Sequence, residues 1–301
     1  MKCRKCSQMA VIDLPQHNTA YCEEHFNEYF LNRVQKAIKT YSMIEKGEKI
    51  LVALSGGKDS VSLWHALIKL GYACDAVFLD TGMGKPKLEE LREMGKSFNS
   101  NLFVYDAHED LFGLDIPKIA KIVRKPTCSV CGSVRRYLMN KFAVENRYDA
   151  IATGHNLDDE TSFLLGNVLN WQLGYLTRQS PTLLKTHDRF VKKVKPLVLL
   201  TEKETYAYAL LNKLPFSGES CPFSKGASSL LYKKVLNEIE LVQPGTKQRF
   251  YTGAIKMWNT QNQNKLELHE CEVCGYPTTE KVCSFCRMRE RLKDALGKQT
   301  I

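Results

Sequence analysis

The sequence predicts an α/β fold: a doubly wound parallel sheet with a small cysteine-rich module at each end. Three observations predict it. Apolar runs of strand length alternate with helix-period segments from about residue 48 to 255, the pattern of a parallel sheet covered by helices. A glycine loop follows the first of those runs at once. Paired cysteines lie outside the alternating zone, at both ends of the chain. The expected division is 1–27, 28–258 and 265–301.

Lys49-Ile50-Leu51-Val52-Ala53-Leu54 is a continuous apolar run, as expected of a strand buried on both faces. Val61, Leu63, Trp64, Leu67 and Ile68 follow with the spacing of a helix. Ala76–Leu79 and Leu102–Tyr105 read as the second and third strands, with a helix over Pro86–Phe98 between them. Ala150–Thr153 reads as the fourth, after a helix carrying Val134, Leu138 and Phe142. Further on, Thr201 and Glu204 form a capping box. Leu231, Val235, Ile239 and Val242 keep a helical stripe as far as Pro244-Gly245, and the stripe is expected in the core. Asn259–Asn264, rich in Asn and Gln, reads as a linker.

Of 301 residues, 44% are hydrophobic and 25% charged, the balance of a globular chain. No apolar run approaches the roughly 18 residues of a membrane span. Met1–Cys6 lacks the apolar stretch of a secretory leader. A cytoplasmic location with no membrane partner is therefore expected. Lys and Arg outnumber Asp and Glu by 43 to 33, a net +10, which favours a polyanion such as RNA. Candidate contacts are Lys118, Lys121, Arg124, Lys125, Arg135 and Arg136, then Lys192, Lys193, Lys195, Lys233, Lys234, Lys247 and Arg249. For any one of these, a solvated face is the plainer account.

Ser55-Gly56-Gly57-Lys58-Asp59-Ser60 joins the first strand to its helix. Paired glycines let backbone N–H groups close around an anion at a helix N-terminus, while Lys58 adds charge and the serines add hydroxyls. The spacing is not that of a Walker loop. It resembles the pyrophosphate loop of the N-type ATP pyrophosphatases. That likeness implies cleavage of ATP between the α- and β-phosphates and transfer of AMP to a carbonyl oxygen, which becomes a good leaving group. Asp80-Thr81-Gly82, after the second strand, lies where such a fold holds adenosine, although a strand-end cap would also place an Asp there. Gly154-His155-Asn156-Leu157-Asp158-Asp159-Glu160, after the fourth, suits nucleotide and Mg²⁺; taken alone it is equally a helix N-terminal charge bias.

Eleven cysteines in a reducing compartment point to metal or redox chemistry rather than disulfides. Cys3-x2-Cys6 with Cys22-x2-His25, and Cys271-x2-Cys274 with Cys283-x2-Cys286, are two structural Zn²⁺ sets. Closed tetrahedral zinc organises folding and does no catalysis. Cys128-Ser129-Val130-Cys131 and Cys221, in Glu219-Ser220-Cys221-Pro222, leave three central thiols. They suit a [4Fe–4S] cluster with one open iron, a persulfide and resolving-disulfide pair, or a structural zinc that borrows a ligand. Cys74, between a helix and a strand, reads as packing.

Ser55–Ser60, Cys128–Cys131 with Arg135-Arg136-Tyr137, Gly154–Glu160 and Glu219–Pro222 occur in the order found in the tRNA 2-thiolation enzymes of the two-zinc-finger group, which the whole chain resembles. The likeness is nearest to the branch acting on ribothymidine 54; wobble-uridine-34 thiolation is the near alternative. The resemblance implies an adenine nucleotide alpha hydrolase-like PP-loop fold, a [4Fe–4S] cluster on Cys128, Cys131 and Cys221, and Asp159 as a catalytic acidic residue. It implies ATP along Ala53, Leu54, Ser55, Gly56, Gly57, Lys58, Asp59, Ser60, Leu79, Asp80, Gly154, His155, Asp158 and Asp159, with Mg²⁺. It further implies tRNA as substrate, sulfur from a ubiquitin-like carrier bearing a C-terminal thiocarboxylate, and a homodimer. The family often has lysine where this chain has Arg135; arginine keeps the charge but does not exchange protons readily, so an electrostatic role is expected there. Other outcomes of the same features are 2-thiocytidine synthesis, or an RNA-binding protein with a vestigial nucleotide fold.

Overall fold

The computed structural model describes residues 1–83, 86–176, 179–218, 221, 223, 228–259 and 267–297. The chain opens with an antiparallel pair, β1 (Ile12–Leu14) and β2 (Thr19–Tyr21), and enters α1 (Glu23–Thr40) directly from Cys22. Phe26, Phe30, Val34, Ala37 and Ile38 form the buried face of α1. Next come β3 (Ile50–Leu54), α2 (Lys58–Lys69), β4 (Cys74–Asp80), α3 (Leu88–Ser97), β5 (Leu102–Asp106), α4 (Ile116–Val123), α5 (Thr127–Glu145) and β6 (Ala150–Thr153). After these are α6 (Leu157–Leu169), a short α7 (Leu173–Leu176), β7 (Thr182–Leu183), β8 (Lys192–Val194) and α8 (Glu202–Leu211). Two longer helices, α9 (Ser228–Val242) and α10 (Thr246–Asn259), precede the pair β9 (His269–Glu270) and β10 (Pro277–Thr278), and α11 (Ser284–Gly297) closes the described chain.

The main sheet has the order β5-β4-β3-β6-β8-β7, parallel except for β7 at the edge, which runs antiparallel to β8. From β3 the chain builds outward through β4 and β5, then returns to place β6 on the other side of β3. That reversal opens a crevice at the carboxyl ends of β3 and β6, where open α/β sheets take their ligands. The loops that leave those two strands are Ser55–Gly57 and Gly154–Asn156.

Each face of the sheet has its own core. On one, α1, α2 and α8 bury Phe30, Trp64, Leu67 and Tyr208, with Phe30 stacked on Tyr208 at 3.8 Å between centroids. Burying such side chains contributes roughly 1.5–3 kcal/mol each. On the other, α4, α5 and α11 cover Leu51, Val77, Leu79 and Ile151. Phe285 of α11 stacks on Tyr137 of α5 at 3.9 Å, inclined 9°, so the C-terminal module packs on the helix that carries Cys128 and Cys131.

Two expectations are corrected. The α9 stripe is not core: Leu231, Val235, Ile239 and Val242 are exposed, Val242 at 82%, while Leu236 is the buried residue of that helix. Cys74 is the first residue of β4 rather than part of a connection, and it is buried. The Asn/Gln-rich linker falls outside the described residues apart from Asn259, which ends α10. Among the described residues no helix is long and apolar enough to cross a membrane.

Candidate active site

The loop after β3 is closed by its own serines. Ser55 N–H donates to Ser60 Oγ at 3.1 Å, the two hydroxyls lie 3.0 Å apart, and Ser60 Oγ donates to the Gly57 carbonyl at 3.0 Å. Gly56 has φ +81°, and a Cβ there would lie 2.5 Å from Pro86 Cβ, so only glycine suits it. Gly57 caps α2, whose first residue is Lys58. The loop after β6 packs against it: a Cβ on Gly154 would lie 2.8 Å from the Ser60 nitrogen.

Charged side chains join the two loops. Asn156 caps α6 in a reciprocal capping box with Asp159, and its Nδ2 donates to Asp59 Oδ1 at 3.1 Å. The Thr205 hydroxyl of α8 donates to the same oxygen at 2.5 Å. Lys58 Nζ lies 3.1 Å from Asp59 and 2.7 Å from Glu202; Lys233 Nζ lies 2.6 Å from Asp159 and 3.2 Å from Glu202. Burial works against the Lys58 charge, but Asp59 and Glu202 outweigh it and raise its pKa. Burial likewise opposes the Glu202 charge, and the two lysines hold its pKa below the usual carboxylate value. Lys58 and Glu202 thus stay ionised around neutrality.

The other expected residues take varied positions. Asp158 is 4% exposed and accepts from Lys247 Nζ at 2.5 Å and from Glu202 N–H at 2.8 Å, so its carboxylate fixes α8 and α10 to the site. Glu160 is buried against Lys195 at 2.8 Å. His155 Nδ1 lies 2.9 Å from Thr153 Oγ1. Asp80 Oδ1 accepts from Gly82 N–H at 3.0 Å in a strand-end turn. Leu54 and Leu79 are buried and Ala53 partly so. Four lysines suggested as RNA contacts serve inside the protein: Lys192 pairs with Glu48 at 2.6 Å, Lys195 with Glu160, Lys247 with Asp158, and Lys233 with Asp159 and Glu202. Sequence reading missed Glu202, Thr205 and the inward aim of Lys233. The Thr201 capping box marked where α8 begins, but no local signal placed that start beside Lys58.

Cys128 and Cys131 stand three apart in the first turn of α5, on one helix face, and Arg135 follows Cys131 by four. Arg135 Nε is buried without a hydrogen-bond partner. Ser217 N–H donates to the Gly56 carbonyl at 2.9 Å, beside a parallel bridge between Gly57 and Ser217. Cys221 is four residues on, so its Cα lies within about 14 Å of that contact. Cys128 Sγ lies 3.3 Å from the carbonyl oxygen of Phe223, which is at most about 7 Å along the chain from Cys221. Glu219, Ser220 and Pro222 of the expected motif lie outside the described residues. The described geometry therefore ties the cysteine segment to the β3–α2 loop at one end and to α5 at the other.

At the chain ends, two groups each bring four ligand atoms within 4.8 Å: Cys3, Cys6, Cys22 and His25, and Cys271, Cys274, Cys283 and Cys286. Cys6 and Cys22 sulfurs are 3.7 Å apart, and those of Cys274 and Cys283 are 3.8 Å apart. Thiolates about 2.3 Å from one tetrahedral zinc stand roughly 3.8 Å from each other. Burial opposes ionisation of Cys3, yet the N–H groups of Cys22, Lys5 and Cys6 bring its thiol down to about 6. Cys271 likewise falls to about 6 through the N–H groups of Cys283, Val273 and Cys274, against the opposing effect of burial. The central thiols form no group of that tightness among the described residues.

Residues 26–220 match the PP-loop domain, and residues 2–27 match the domain described as 2-thiouridine synthetase TtuA, N-terminal LIM domain. The tRNA-5-methyluridine(54) 2-sulfurtransferase of Thermotoga maritima is 50% identical over 301 residues, 99% of each chain. The chain belongs to the tRNA-5-methyluridine(54) 2-sulfurtransferase family. The sulfurtransferase of that name from Thermus thermophilus is 40% identical over 293 residues, 96% of this chain and 91% of its own. Cytoplasmic tRNA 2-thiolation protein 1 of Drosophila melanogaster is 29% identical over 304 residues, 98% of this chain and 88% of its own. A solved structure, the U34-tRNA thiolase NcsA from Methanococcus maripaludis with its [4Fe-4S] cluster, shares the fold with a TM-score of 0.80 at 24% identity, over 97% of this chain and 96% of that one. The PP-loop fold expected from the sequence, with a cysteine cluster at each end, is the fold observed, and this sulfurtransferase family is one of enzymes.

Proposed function

We propose that this sulfurtransferase uses ATP to activate O2 of 5-methyluridine at tRNA position 54 and replaces that oxygen with sulfur. The observation that carries the reading is the Ser217–Gly56 contact, which ties the Cys221 segment to the nucleotide loop. An activation site and a sulfur-handling site must share a cavity if O2 and C2 of one base are to meet both.

Gly56 and Gly57 N–H groups, the Ser55 and Ser60 hydroxyls and Lys58 receive the phosphates at the α2 N-terminus. Asp80 receives the adenosine, with the backbone of Ala53, Leu54 and Leu79 and the loop Gly154–His155 around it. Asp59 and Asp159 are the carboxylates placed to share Mg²⁺ with the phosphates, while buried Asp158 positions α8. Uridine O2 attacks the α-phosphate and pyrophosphate leaves. Sulfur then forms a bond to C2 as the C2–O bond breaks and AMP departs. The base reaches this site only out of its stack.

The donor set Cys128, Cys131 and Cys221 suits an iron–sulfur cluster better than a lone structural zinc, because three thiols are one ligand short of a closed zinc tetrahedron and leave one iron of a cluster open. When bound there, the cluster supplies the sulfur-handling chemistry. The orphaned Arg135 Nε supplies a fixed positive charge beside it. The end groups suit one Zn²⁺ each, consistent with a division at 1–27, 28–258 and 265–301. A ubiquitin-like thiocarboxylate protein is the proposed sulfur source, and the exposed α9 stripe is the candidate face for a homodimer. The cytoplasm, where thiols stay reduced, is the proposed location.

The test is anaerobic incubation of the enzyme with tRNA containing 5-methyluridine 54, Mg-ATP and sulfide, followed by nucleoside mass spectrometry and mapping of the modified position. The expected product is 2-thiolated 5-methyluridine at position 54, with AMP formed, and none from Lys58→Ala or Cys221→Ser. Thiolation at position 34 or of cytidine would replace the proposed substrate. Tight tRNA binding with no thiolation would favour a vestigial nucleotide fold.

A further inference from the structure

Between the nucleotide loop and α9 lies a five-membered ionic cluster in which one carboxylate serves two ammonium groups. Lys58 is anchored by Asp59 at 3.1 Å, and Lys233 by Asp159 at 2.6 Å; Glu202 bridges the two lysines at 2.7 and 3.2 Å. The lysines are enclosed, with side chains 21% and 20% exposed, whereas Glu202 is 41% exposed. Glu202 lies in the first turn of α8, where the helix dipole favours negative charge. With Lys58 and Lys233 each matched by its own aspartate, Glu202 supplies the extra negative charge of the group. It is also the member freest to turn away.

We infer that Lys233 is a second phosphate-binding lysine for ATP, and that Glu202 is a placeholder anion that holds Lys58 and Lys233 apart and charged until the polyphosphate displaces it. The inference rests on the ATP reading of the site given above. Lys233 stays charged because Asp159 and Glu202 outweigh its burial. Its place on α9, the helix that follows the Cys221 segment, makes polyphosphate binding pull directly on the part of the chain that leads from the thiols. A mobile carboxylate in an anion site spares two lysines from facing each other unneutralised, at the cost of competing with the ligand.

The experiment is calorimetric titration of the full chain, purified anaerobically, with a methylene-bridged ATP analogue that resists α–β cleavage, in the presence of Mg²⁺. Loss of a charge-assisted contact predicts binding weaker by on the order of tenfold or more for Lys233→Gln, with Lys233→Arg close to wild type. Glu202→Gln is expected to bind several-fold more tightly, since the competitor is gone. Thermal melts of each variant show that it is folded. Wild-type affinity in a folded Lys233→Gln overturns the phosphate role. Weaker binding by Glu202→Gln overturns the placeholder role and makes Glu202 a support for ligand or metal. Failure of the wild-type protein itself to bind the analogue removes the ATP reading on which both roles rest.

Discussion

A methyl group at position 154 would sit 2.8 Å from the Ser60 nitrogen and 3.0 Å from the Asp59 carbonyl carbon. Both neighbours are backbone, so neither can swing aside. Gly154→Ala is expected to push the β3 and β6 loops apart, costing about 1–3 kcal/mol in denaturant unfolding and weakening ATP binding more than folding. Equal stability and unchanged ATP affinity would show that the loops do not meet. His65, further along α2, offers a second residue-scale test. It is buried beside Tyr208, with Nδ1 2.9 Å from the hydroxyl. Burial first, then the Lys69 charge, lowers its pKa from 6.5 to about 4. Between those values the unfolded chain takes up a proton that the folded chain refuses. Stability therefore falls as pH drops through that window, by roughly 3 kcal/mol at most. His65→Gln should flatten the slope; an unchanged slope would contradict the assignment.

At the scale of elements, α5 ties the cysteine chemistry to the C-terminal module. Phe285→Ala, which removes the ring stacked on Tyr137, is expected to cost roughly 3–5 kcal/mol and to reduce the iron retained after anaerobic purification. Full iron content in an equally stable variant would mean that the module does not support α5. Elements differ in how far the sequence discloses them. β3 and its loop are plain in Ile50–Ser60, because a strand buried on both faces must be apolar throughout. β8 is only three residues long and holds Lys192, buried through its pair with Glu48, so neither apolar run nor alternation marks it. The α9 stripe has correct helical spacing yet faces outward. Periodicity defines a helix face but not what covers it. In α1, Phe26, Phe30 and Val34 repeat every four residues, and Tyr208, the partner of Phe30, lies far along the chain.

For the molecule as a whole, two motifs separated by about a hundred residues become one site because strand order brings β3 beside β6. The motifs were legible as local patterns of glycine, hydroxyl and charge. What joins them was not: Glu202, Thr205 and Lys233 enter from α8 and α9, and no local spacing relates them to Lys58 or Asp159. The net +10 charge was equally ambiguous, since Lys192, Lys195 and Lys247 neutralise internal carboxylates. The most direct test of one shared cavity is a crystal structure of the anaerobic, iron-loaded enzyme with the uncleavable ATP analogue. The Ser217–Gly56 and Cys128–Phe223 contacts predict iron held by Cys128, Cys131 and Cys221 on the same side of the sheet as the phosphates. Iron on the opposite face, or tens of ångströms from the phosphates, would contradict the account.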